Sequence, residues 1–280
     1  MHDNKQKTVL ITGCSSGIGL CVAKGLKYMG YRVLATARKT EDVEMLQQQG
    51  FEALQLDLNR KESIHTAVSR VFELTGNELY ALFNNGAYGQ PGAVEDLPTD
   101  ILREQFETNL FGWHELTRLV IPIMRKQGFG RIIQNSSILG FVPFPFRGAY
   151  TASKYALEGL SDTMRLELHG SGVYVSLIEP GPIESKFREN SFDKWKQTLA
   201  GKASVHQKKY RSQEKRLSAE DTPTPFTLPP EAVLKRVIHA LESSRPKERY
   251  FVTFPTYLFA VLKRILPVRM LDAALRKVGS

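Results

Sequence analysis

Short apolar runs alternate with helix-like patterns along most of this chain of 280 residues. Such runs suit strands that are buried on both faces of a parallel sheet. Strands that alternate with helices predict an α/β fold, a Rossmann-type doubly wound parallel sheet with helices on both faces. The length, with 42% hydrophobic and 24% charged residues, is typical of a single domain over 1–280. The predicted strands lie at 7–12, 31–37, 51–56, 79–83, 131–135, 173–179 and 250–253.

The turn after the first predicted strand is rich in glycine. It reads Thr12-Gly13-Cys14-Ser15-Ser16-Gly17-Ile18-Gly19 and leads into an amphipathic helical pattern. A turn of this kind presents backbone N–H groups and the positive end of a helix to a pyrophosphate. Glycine also lets the backbone approach the phosphates closely. The Gly-x-x-x-Gly-x-Gly spacing between a strand and a helix therefore predicts a dinucleotide site.

The second predicted strand ends in two cations, Arg38 and Lys39. In dinucleotide-binding folds this point faces the adenosine ribose, where an acidic residue binds the 2′-hydroxyl of NAD and an arginine accommodates the 2′-phosphate of NADP. The sequence therefore favours NADP(H) over NAD(H). Asp57 closes the third strand, where its carboxylate is expected to accept the amino group of the adenine.

Tyr150 and Lys154 stand four residues apart in a helical stretch that begins at Gly148. This spacing places both side chains on one face of the helix. A free phenol has a pKa of about 10, and an ammonium beside it lowers that pKa. The pair is thus suited to general acid–base chemistry near neutral pH. Because the same spacing arises by chance in many helices, its meaning depends on the residues around it.

Other unusual residues follow the later strands. Asn84-Asn85-Gly86-Ala87 comes after the fourth strand, Ser136-Ser137 after the fifth, and Pro180-Gly181-Pro182-Ile183 after the sixth. Asn109 lies within a long helical pattern at about 100–127, where asparagine costs helix stability without an obvious structural return. Ligands of open α/β sheets bind at the carboxyl ends of strands, so these residues are expected to share one site.

Together these residues resemble the short-chain dehydrogenase/reductase family, in its shorter single-domain branch. The particular residues within these motifs are similar to those of bacterial NADP-dependent aldehyde and alcohol reductases, which in turn resemble hydroxysteroid and retinol dehydrogenases. One departure is that the family usually has Asn-Asn-Ala-Gly, so Ala87 stands where a glycine is normally used and Gly89 follows two residues later. The matching elements, in the family's order, are 12–19, Asp57, 84–87, Asn109, Ser137, Tyr150, Lys154 and 180–181.

The resemblance implies hydride transfer between a nicotinamide and a carbonyl or alcohol, with an apolar aldehyde, ketone or alcohol as the expected substrate. It implies that Tyr150 is the general acid/base and that Ser137, at the family's usual interval from it, binds the substrate oxygen. Lys154 is expected to lower the pKa of Tyr150 and to hold the nicotinamide ribose. Asn109 is expected to anchor a water that relays protons from Lys154 to solvent. The predicted cofactor contacts are Gly13, Ser15, Ser16, Gly17, Ile18, Gly19, Arg38, Lys39, Asp57, Asn84, Asn85, Gly86, Tyr150, Lys154, Pro180, Gly181 and Ile183, and no metal site is predicted.

Two segments carry open alternatives. The lysine-rich stretch at about 183–228 is interpreted either as a substrate lid or as small helices on the domain surface. In the segment at about 254–280, Leu258, Val261, Leu262 and Ile265 form one side of an amphipathic helix that is shorter than the roughly 20 residues of a membrane span. This side is expected to pack on the core or on a partner subunit, with weak peripheral membrane contact as the alternative.

The formal charge of +9 indicates an anionic partner such as cofactor phosphates, an acidic substrate or a membrane surface. No nucleic-acid motif accompanies it. Two cysteines, Cys14 and Cys21, are too few for a disulfide framework and predict reduced thiols. No export signal is recognised at 1–7. We expect a cytoplasmic homodimer or homotetramer, with the cytoplasmic face of the membrane as the alternative location.

Two other functions are considered. A non-catalytic NADP-binding sensor or scaffold on the same fold would be marked by the loss of Ser137, Tyr150 or Lys154, and all three are present. An epimerase or dehydratase usually has a longer chain and a Gly-x-x-Gly-x-x-Gly turn, which this sequence lacks.

Overall fold

The computed structural model describes residues 6–218 and 225–278. Within these ranges seven strands form one sheet in the order β3-β2-β1-β4-β5-β6-β7, and every neighbouring pair is parallel. The predicted doubly wound sheet is therefore confirmed. The strands are β1 (Thr8–Ile11), β2 (Arg32–Ala37), β3 (Glu52–Gln55), β4 (Ala81–Asn84), β5 (Gly130–Asn135), β6 (Val173–Glu179) and β7 (Arg249–Phe251).

Helices cover both faces of the sheet because each has an apolar side of its own. One apolar cluster joins the sheet to α1, α2 and α9, and a second joins its other face to α3, α5 and α6. The helices are α1 (Gly17–Tyr28), α2 (Thr40–Gln48), α3 (Lys61–Thr75), α4 (Thr99–Phe106), α5 (Gly112–Gln127), α6 (Gly148–Glu167), α7 (Phe187–Thr198), α8 (Gln207–Ser218), α9 (Glu231–Glu242), α10 (Phe254–Ile265) and α11 (Val268–Val278).

The strand order creates a crevice between β1 and β4. The chain builds β1, β2 and β3 toward one edge of the sheet and then crosses to β4 on the other side of β1. Helices after β1 and β4 therefore lie on opposite faces, and the carboxyl ends of these strands are left open to a ligand. The residues singled out from the sequence meet at this end.

The long helix and the last strand differ most from the predicted elements. The single long helix expected at about 100–127 is divided into α4 and α5 by a π-helical turn at Glu107–Phe111. The last strand ends at Phe251 rather than at 253. The segment at about 183–228 contains α7 and α8, and its residues 219–224 lie outside the described ranges, as do 1–5 and 279–280 of the predicted domain.

Candidate active site

Two hydroxyl groups that were predicted to be catalytic meet beyond the carboxyl end of β5. Ser137 begins a short 3-10 turn, in which its Oγ accepts the backbone N–H of Leu139 at 3.1 Å. Tyr150 lies in the first turn of α6, and the side chain of Ser137 lowers the pKa of its phenol. The neighbouring Ser136 instead donates to the carboxylate of Glu158. Ser137, rather than Ser136, is therefore the serine that acts on Tyr150.

Lys154 lies one helical turn after Tyr150 and is almost fully buried, with 1% of its surface exposed. Its Nζ donates to the backbone oxygen of Asn135 at 2.7 Å and lies 4.2 Å from the centroid of the Trp113 ring. Burial lowers the pKa of Lys154 to about 7, and the negative charge of Glu158 opposes this change. A buried ammonium is poorly solvated, so this lysine changes its charge near neutral pH.

The phenol of Tyr150 is also buried, and burial raises its pKa to about 12. The hydrogen bond from Ser137 and the charge of Arg147 oppose that rise. Lys154 does not contribute, since its Nζ lies 5.7 Å from the centroid of the Tyr150 ring and its own charge is destabilised by burial. The expectation that Lys154 lowers the pKa of Tyr150 is not met in the protein alone. Tyr150 is therefore protonated at neutral pH.

Asn109 lies in the π-helical turn between α4 and α5 and is fully buried. Its amide clamps the loop after β4, since Oδ1 accepts the backbone N–H of Tyr88 at 3.2 Å and Nδ2 donates to the Tyr88 oxygen at 2.9 Å. Nδ2 also lies 3.3 Å from Oγ of Ser153 on α6. Asn109 thus makes stabilising contacts that the helical pattern does not reveal, because its partners belong to two other elements.

The glycine-rich turn holds its backbone close to the turn after β4. Gly13 has a φ of +70°, and a Cβ there would lie 2.6 Å from the Cα of Gly86. A Cβ on Gly19 would lie 2.1 Å from the oxygen of Gly13. Ser16 precedes α1 but its side chain does not cap the helix. The first N–H groups of α1 are therefore left for a ligand, as an anion site requires.

The two asparagines at the end of β4 have different roles. Asn85 links the turns, since its Nδ2 donates to the oxygens of Thr12 at 3.0 Å and Gly13 at 3.2 Å, and its Oδ1 accepts Nδ2 of Asn135 at 2.9 Å. Asn84, the last residue of β4, is fully buried, and its Nδ2 donates to Thr117 and Gln134. This amide nitrogen joins β4 to β5 and α5, and the cofactor contact of Asn84 stays a prediction.

The departure at 86–87 is accommodated without strain. Ala87 is not among the described residues with positive φ, so it adopts an ordinary backbone conformation and needs no glycine. Gly86 packs on Gly13, and its oxygen accepts Nε1 of Trp113 at 2.8 Å. Gly89 serves another purpose, because a Cβ there would lie 2.8 Å from the ring of Phe187. The close contact that glycine supplies at this position is with α7.

Three of the predicted cofactor contacts follow the ends of β2 and β3. Arg38 and Lys39 are both exposed just after β2. Asp57 is half-buried, and its Oδ1 accepts the backbone N–H of Asn59 at 3.0 Å. Its carboxylate thus caps the turn into α3 in addition to any contact with a ligand.

The turn after β6 packs on the loop after β5 and on Thr253. The oxygen of Pro180 accepts the N–H of Ile138 at 2.8 Å. This bond joins the turn to the loop between β5 and α6, residues 136–147, which we call the serine loop. A Cβ on Gly181 would lie 2.2 Å from Oγ1 of the buried Thr253, so glycine is needed there for packing. Ile183 is half-buried and bridges to Leu228.

The segment after this turn covers the site from one side. The ring of Phe187 meets that of Tyr150 edge-on, with centroids 5.3 Å apart. Trp195, Leu199 and Tyr210 are buried against the loop at 93–97. The described part of the segment thus has features of both interpretations, an aromatic contact at the site and helices anchored on the domain.

A cleft of about 310 Å³ opens beside the first turn of α6. Its walls are mostly apolar and come from loops near the site and from α11, with Val94, Phe144, Phe146, Thr151, Leu275 and Arg276 among the lining residues. Phe144 belongs to the same apolar cluster as Tyr150, so the cleft lies close to the hydroxyl pair.

Residues 7–196 match the model of the short chain dehydrogenase family. The chain belongs to this family. It is 45% identical over 271 residues to the uncharacterized oxidoreductase YbbO of Escherichia coli, covering 97% of this chain and 94% of that protein. It is 34% identical to 17-beta-hydroxysteroid dehydrogenase type 6 of Bos taurus, covering 98% and 89% of the two chains. A short-chain dehydrogenase structure from Streptomyces avermitilis superimposes with a TM-score of 0.76 at 27% identity, covering 95% and 94%.

This short-chain dehydrogenase is therefore an oxidoreductase that acts on CH–OH groups. Its residues fit a nicotinamide dinucleotide. The close approach of Gly13, Gly19 and Gly86 forms a cradle that Cβ atoms would fill, and the uncapped start of α1 faces it. When bound, the dinucleotide supplies the hydride donor or acceptor.

Sequence reasoning missed a partly buried ionic network near the candidate catalytic residues. Arg249 on β7 contacts Glu158 at 3.0 Å, Asp162 at 2.9 Å and Glu179 at 3.0 Å. Burial raises the pKa of Glu179 to about 9, and the neighbouring Glu158 adds to the effect, so this pair of carboxyl groups retains a proton at neutral pH. Glu158 stands four residues after Lys154, a spacing that was visible in the sequence, whereas Arg249 and Trp113 are too distant along the chain to be recognised.

Proposed function

We propose that this protein is an NADP(H)-dependent oxidoreductase that interconverts apolar carbonyl compounds and alcohols, with Tyr150 as the general acid/base. The observation that carries this proposal is the packing of Tyr150 on the turn that Ser137 begins, where the Ser137 side chain lowers the pKa of the phenol. Two hydroxyl groups placed in this way can together bind a substrate oxygen, since each has donor and acceptor capacity. Lys154 stands one helical turn after Tyr150.

Each residue has a distinct role in the reduction. Ser137 donates to the carbonyl oxygen and stabilises the charge that develops on it. Tyr150, whose pKa is raised to about 12, is protonated at neutral pH and gives its proton to that oxygen. Lys154 as an ammonium binds the ribose hydroxyls. Asn109 holds the relay water in the π-helical turn, next to Ser153 of the Tyr150 helix.

The test of this mechanism is the substitution Tyr150→Phe. It removes only the hydroxyl group, so NADPH affinity is expected to change less than threefold while kcat falls by at least about 10²-fold, in the range of a lost general acid. Affinity is measured by fluorescence titration and turnover by NADPH absorbance with a series of aldehydes. Tyr155→Phe, on the same helix, is the matched control and should keep both values. Wild-type turnover in Tyr150→Phe would refute the assignment.

The preference for NADP(H) rests on the two exposed cations after β2. A guanidinium forms charge-assisted hydrogen bonds with a phosphate, and both cations lie where the 2′-phosphate of NADP is expected. Arg38→Asp combined with Lys39→Gln should raise KM for NADPH at least tenfold and change KM for NADH much less. A parallel change for both cofactors would contradict this assignment. Lys24→Asp with Lys61→Gln provides a control for the change in net charge.

An apolar substrate is supported by the aromatic surroundings of Tyr150. Phe187 contacts the Tyr150 ring, and Phe144 and Phe146 line the cleft beside it. A lid role for the segment at about 183–228 follows from the same contact. We expect kcat/KM to rise with chain length across a series of linear aldehydes, and a flat series would refute the apolar assignment.

Assembly and location complete the proposal. Phe111 and Leu166 are large apolar side chains with 51% and 68% of their surfaces exposed, which supports a homodimer or homotetramer formed through α5 and α6. Light scattering coupled to gel filtration measures the oligomer, and a monomer at micromolar concentration would refute this part. The free thiols of Cys14 and Cys21 support a cytoplasmic location.

A further inference from the structure

The helix α10 has an apolar stripe that points away from the domain. It consists of Phe254, Leu258, Val261 and Ile265, whose side chains are 58%, 39%, 57% and 66% exposed. Their spacing of four, three and four residues places them on one line along the helix. Leu258, Val261 and Ile265 therefore do not pack on the domain's own core, whereas Leu262 does. The two other predicted surfaces for this side are a partner subunit and the membrane interface.

The opposite face of α10 is fixed to the domain. Phe259 is 4% exposed and lies in a cluster with Ile138 and Leu139 of the serine loop. Nζ of Lys263 donates to the oxygen of Phe141 at 2.6 Å. A helix held on this side cannot turn its outer stripe inward, so the stripe stays exposed unless another surface covers it.

The exposed apolar surface extends beyond α10. The ring of Phe226 lies 5.2 Å from that of Phe254 at one end, and Val268 and Met270 continue it at the other, 74% and 57% exposed. Single exposed apolar residues are common, but a continuous patch marks an interaction site.

The charge of the segment around this surface favours an anionic bilayer over a second copy of the chain as its binding partner. Besides Lys263, which contacts Phe141, the segment 254–278 has four cations, Arg264, Arg269, Arg276 and Lys277, and a single carboxylate, Asp272. A two-fold contact between copies would set this cationic segment against itself. An anionic bilayer provides both an apolar phase for the stripe and opposite charge for its cations. In the described residues no helix has the length and apolar character to cross a bilayer, so contact is confined to the membrane interface.

We propose that α10 and the start of α11 form a surface that binds peripherally to an anionic lipid bilayer. The same two helices adjoin the candidate active site, because α10 packs on the serine loop and α11 lines the apolar cleft through Leu275 and Arg276. Membrane binding therefore brings the cleft to the headgroup region. The surface does not depend on the reaction proposed above.

The experiment is co-sedimentation of the full chain with two kinds of vesicle, phosphatidylcholine alone and phosphatidylcholine mixed with phosphatidylglycerol. Wild type is expected to bind the mixed vesicles at least tenfold more strongly, with a steep loss of binding as salt is raised. Val261→Glu combined with Ile265→Glu should reduce binding at least tenfold. Tyr28→Glu combined with Met29→Glu alters two exposed residues elsewhere and should leave it unchanged.

The variants also separate this proposal from its alternatives. Thermal melting and turnover of a short water-soluble aldehyde should be the same for Val261→Glu/Ile265→Glu and wild type, because both residues are exposed. Equal binding by this variant and wild type, or no binding by wild type, would overturn the proposal. So would a wild-type oligomer that this variant dissociates, since the stripe would then be covered by a second copy.

Discussion

Replacing Trp113 by leucine tests how the buried charge of Lys154 is maintained. Trp113 is fully buried, and its ring centroid lies 4.2 Å from Nζ of Lys154. The ammonium otherwise has the oxygen of Asn135 as its hydrogen-bond acceptor and the charge of Glu158 as its electrostatic support. Removing the ring should therefore disfavour the charged form further.

The size of the effect follows from burial. A cation over an indole face contributes about 2 kcal/mol when both groups are desolvated, and one pKa unit corresponds to about 1.36 kcal/mol. Losing the ring should lower the pKa of Lys154 by about 1.5 units from its value of about 7. A lysine with a lowered pKa keeps its charge only at lower pH. At pH 7 the fraction of Lys154 that carries a charge should fall roughly tenfold.

The assay is the pH dependence of kcat/KM for aldehyde reduction. In Trp113→Leu the limb at which activity is lost with rising pH should move about 1.5 units toward acid, and activity should return in acidic buffer. Trp113→Phe keeps an aromatic face but loses the hydrogen bond to Gly86, so it should move the limb less. Thermal melting identifies any general destabilisation from the lost volume. A profile that only decreases in height, with its limb unmoved, would refute the reasoning.

Three further predictions follow from other contacts. Gly13→Ala should weaken NADPH binding at least tenfold by titration, because of its φ of +70° and the close Cα of Gly86, whereas Gly159→Ala, with open space around its Cα, should not. Glu179→Gln should stabilise the protein more at pH 8 than at pH 5. The pKa of Glu179 is raised to about 9 in the folded state, so the wild type loses stability as the pH rises from the pKa of the unfolded state toward that value. The melting temperature is the measurement, since a difference of 1 kcal/mol would appear as roughly 2–4 °C. Phe187→Ala should raise KM for long aldehydes several-fold and leave that for short ones nearly unchanged, which steady-state kinetics would check.

Local sequence determined the sheet and the positions of most candidate site residues. Most strands are short apolar runs, and β6 begins and ends at the predicted residues. The Tyr150–Lys154 spacing and the glycine-rich turn are contained within single turns of chain, where geometry follows directly from the order of residues. The parallel topology then brings the ends of the strands together, so Ser137 and Tyr150 could be expected to meet.

Contacts between distant segments were decided by the tertiary structure alone. The approach of Trp113 to Lys154, the network of Arg249 and the packing of Gly181 on Thr253 join residues far apart in the chain. Periodicity shows that a helix has an apolar side, but the direction of that side is set by what the helix packs on. In α10, Phe259 is buried and Val261 is exposed because the serine loop fixes the helix on the side of Phe259 and Leu262. The pKa values of Tyr150 and Lys154 are set likewise by burial, which only the folded chain imposes.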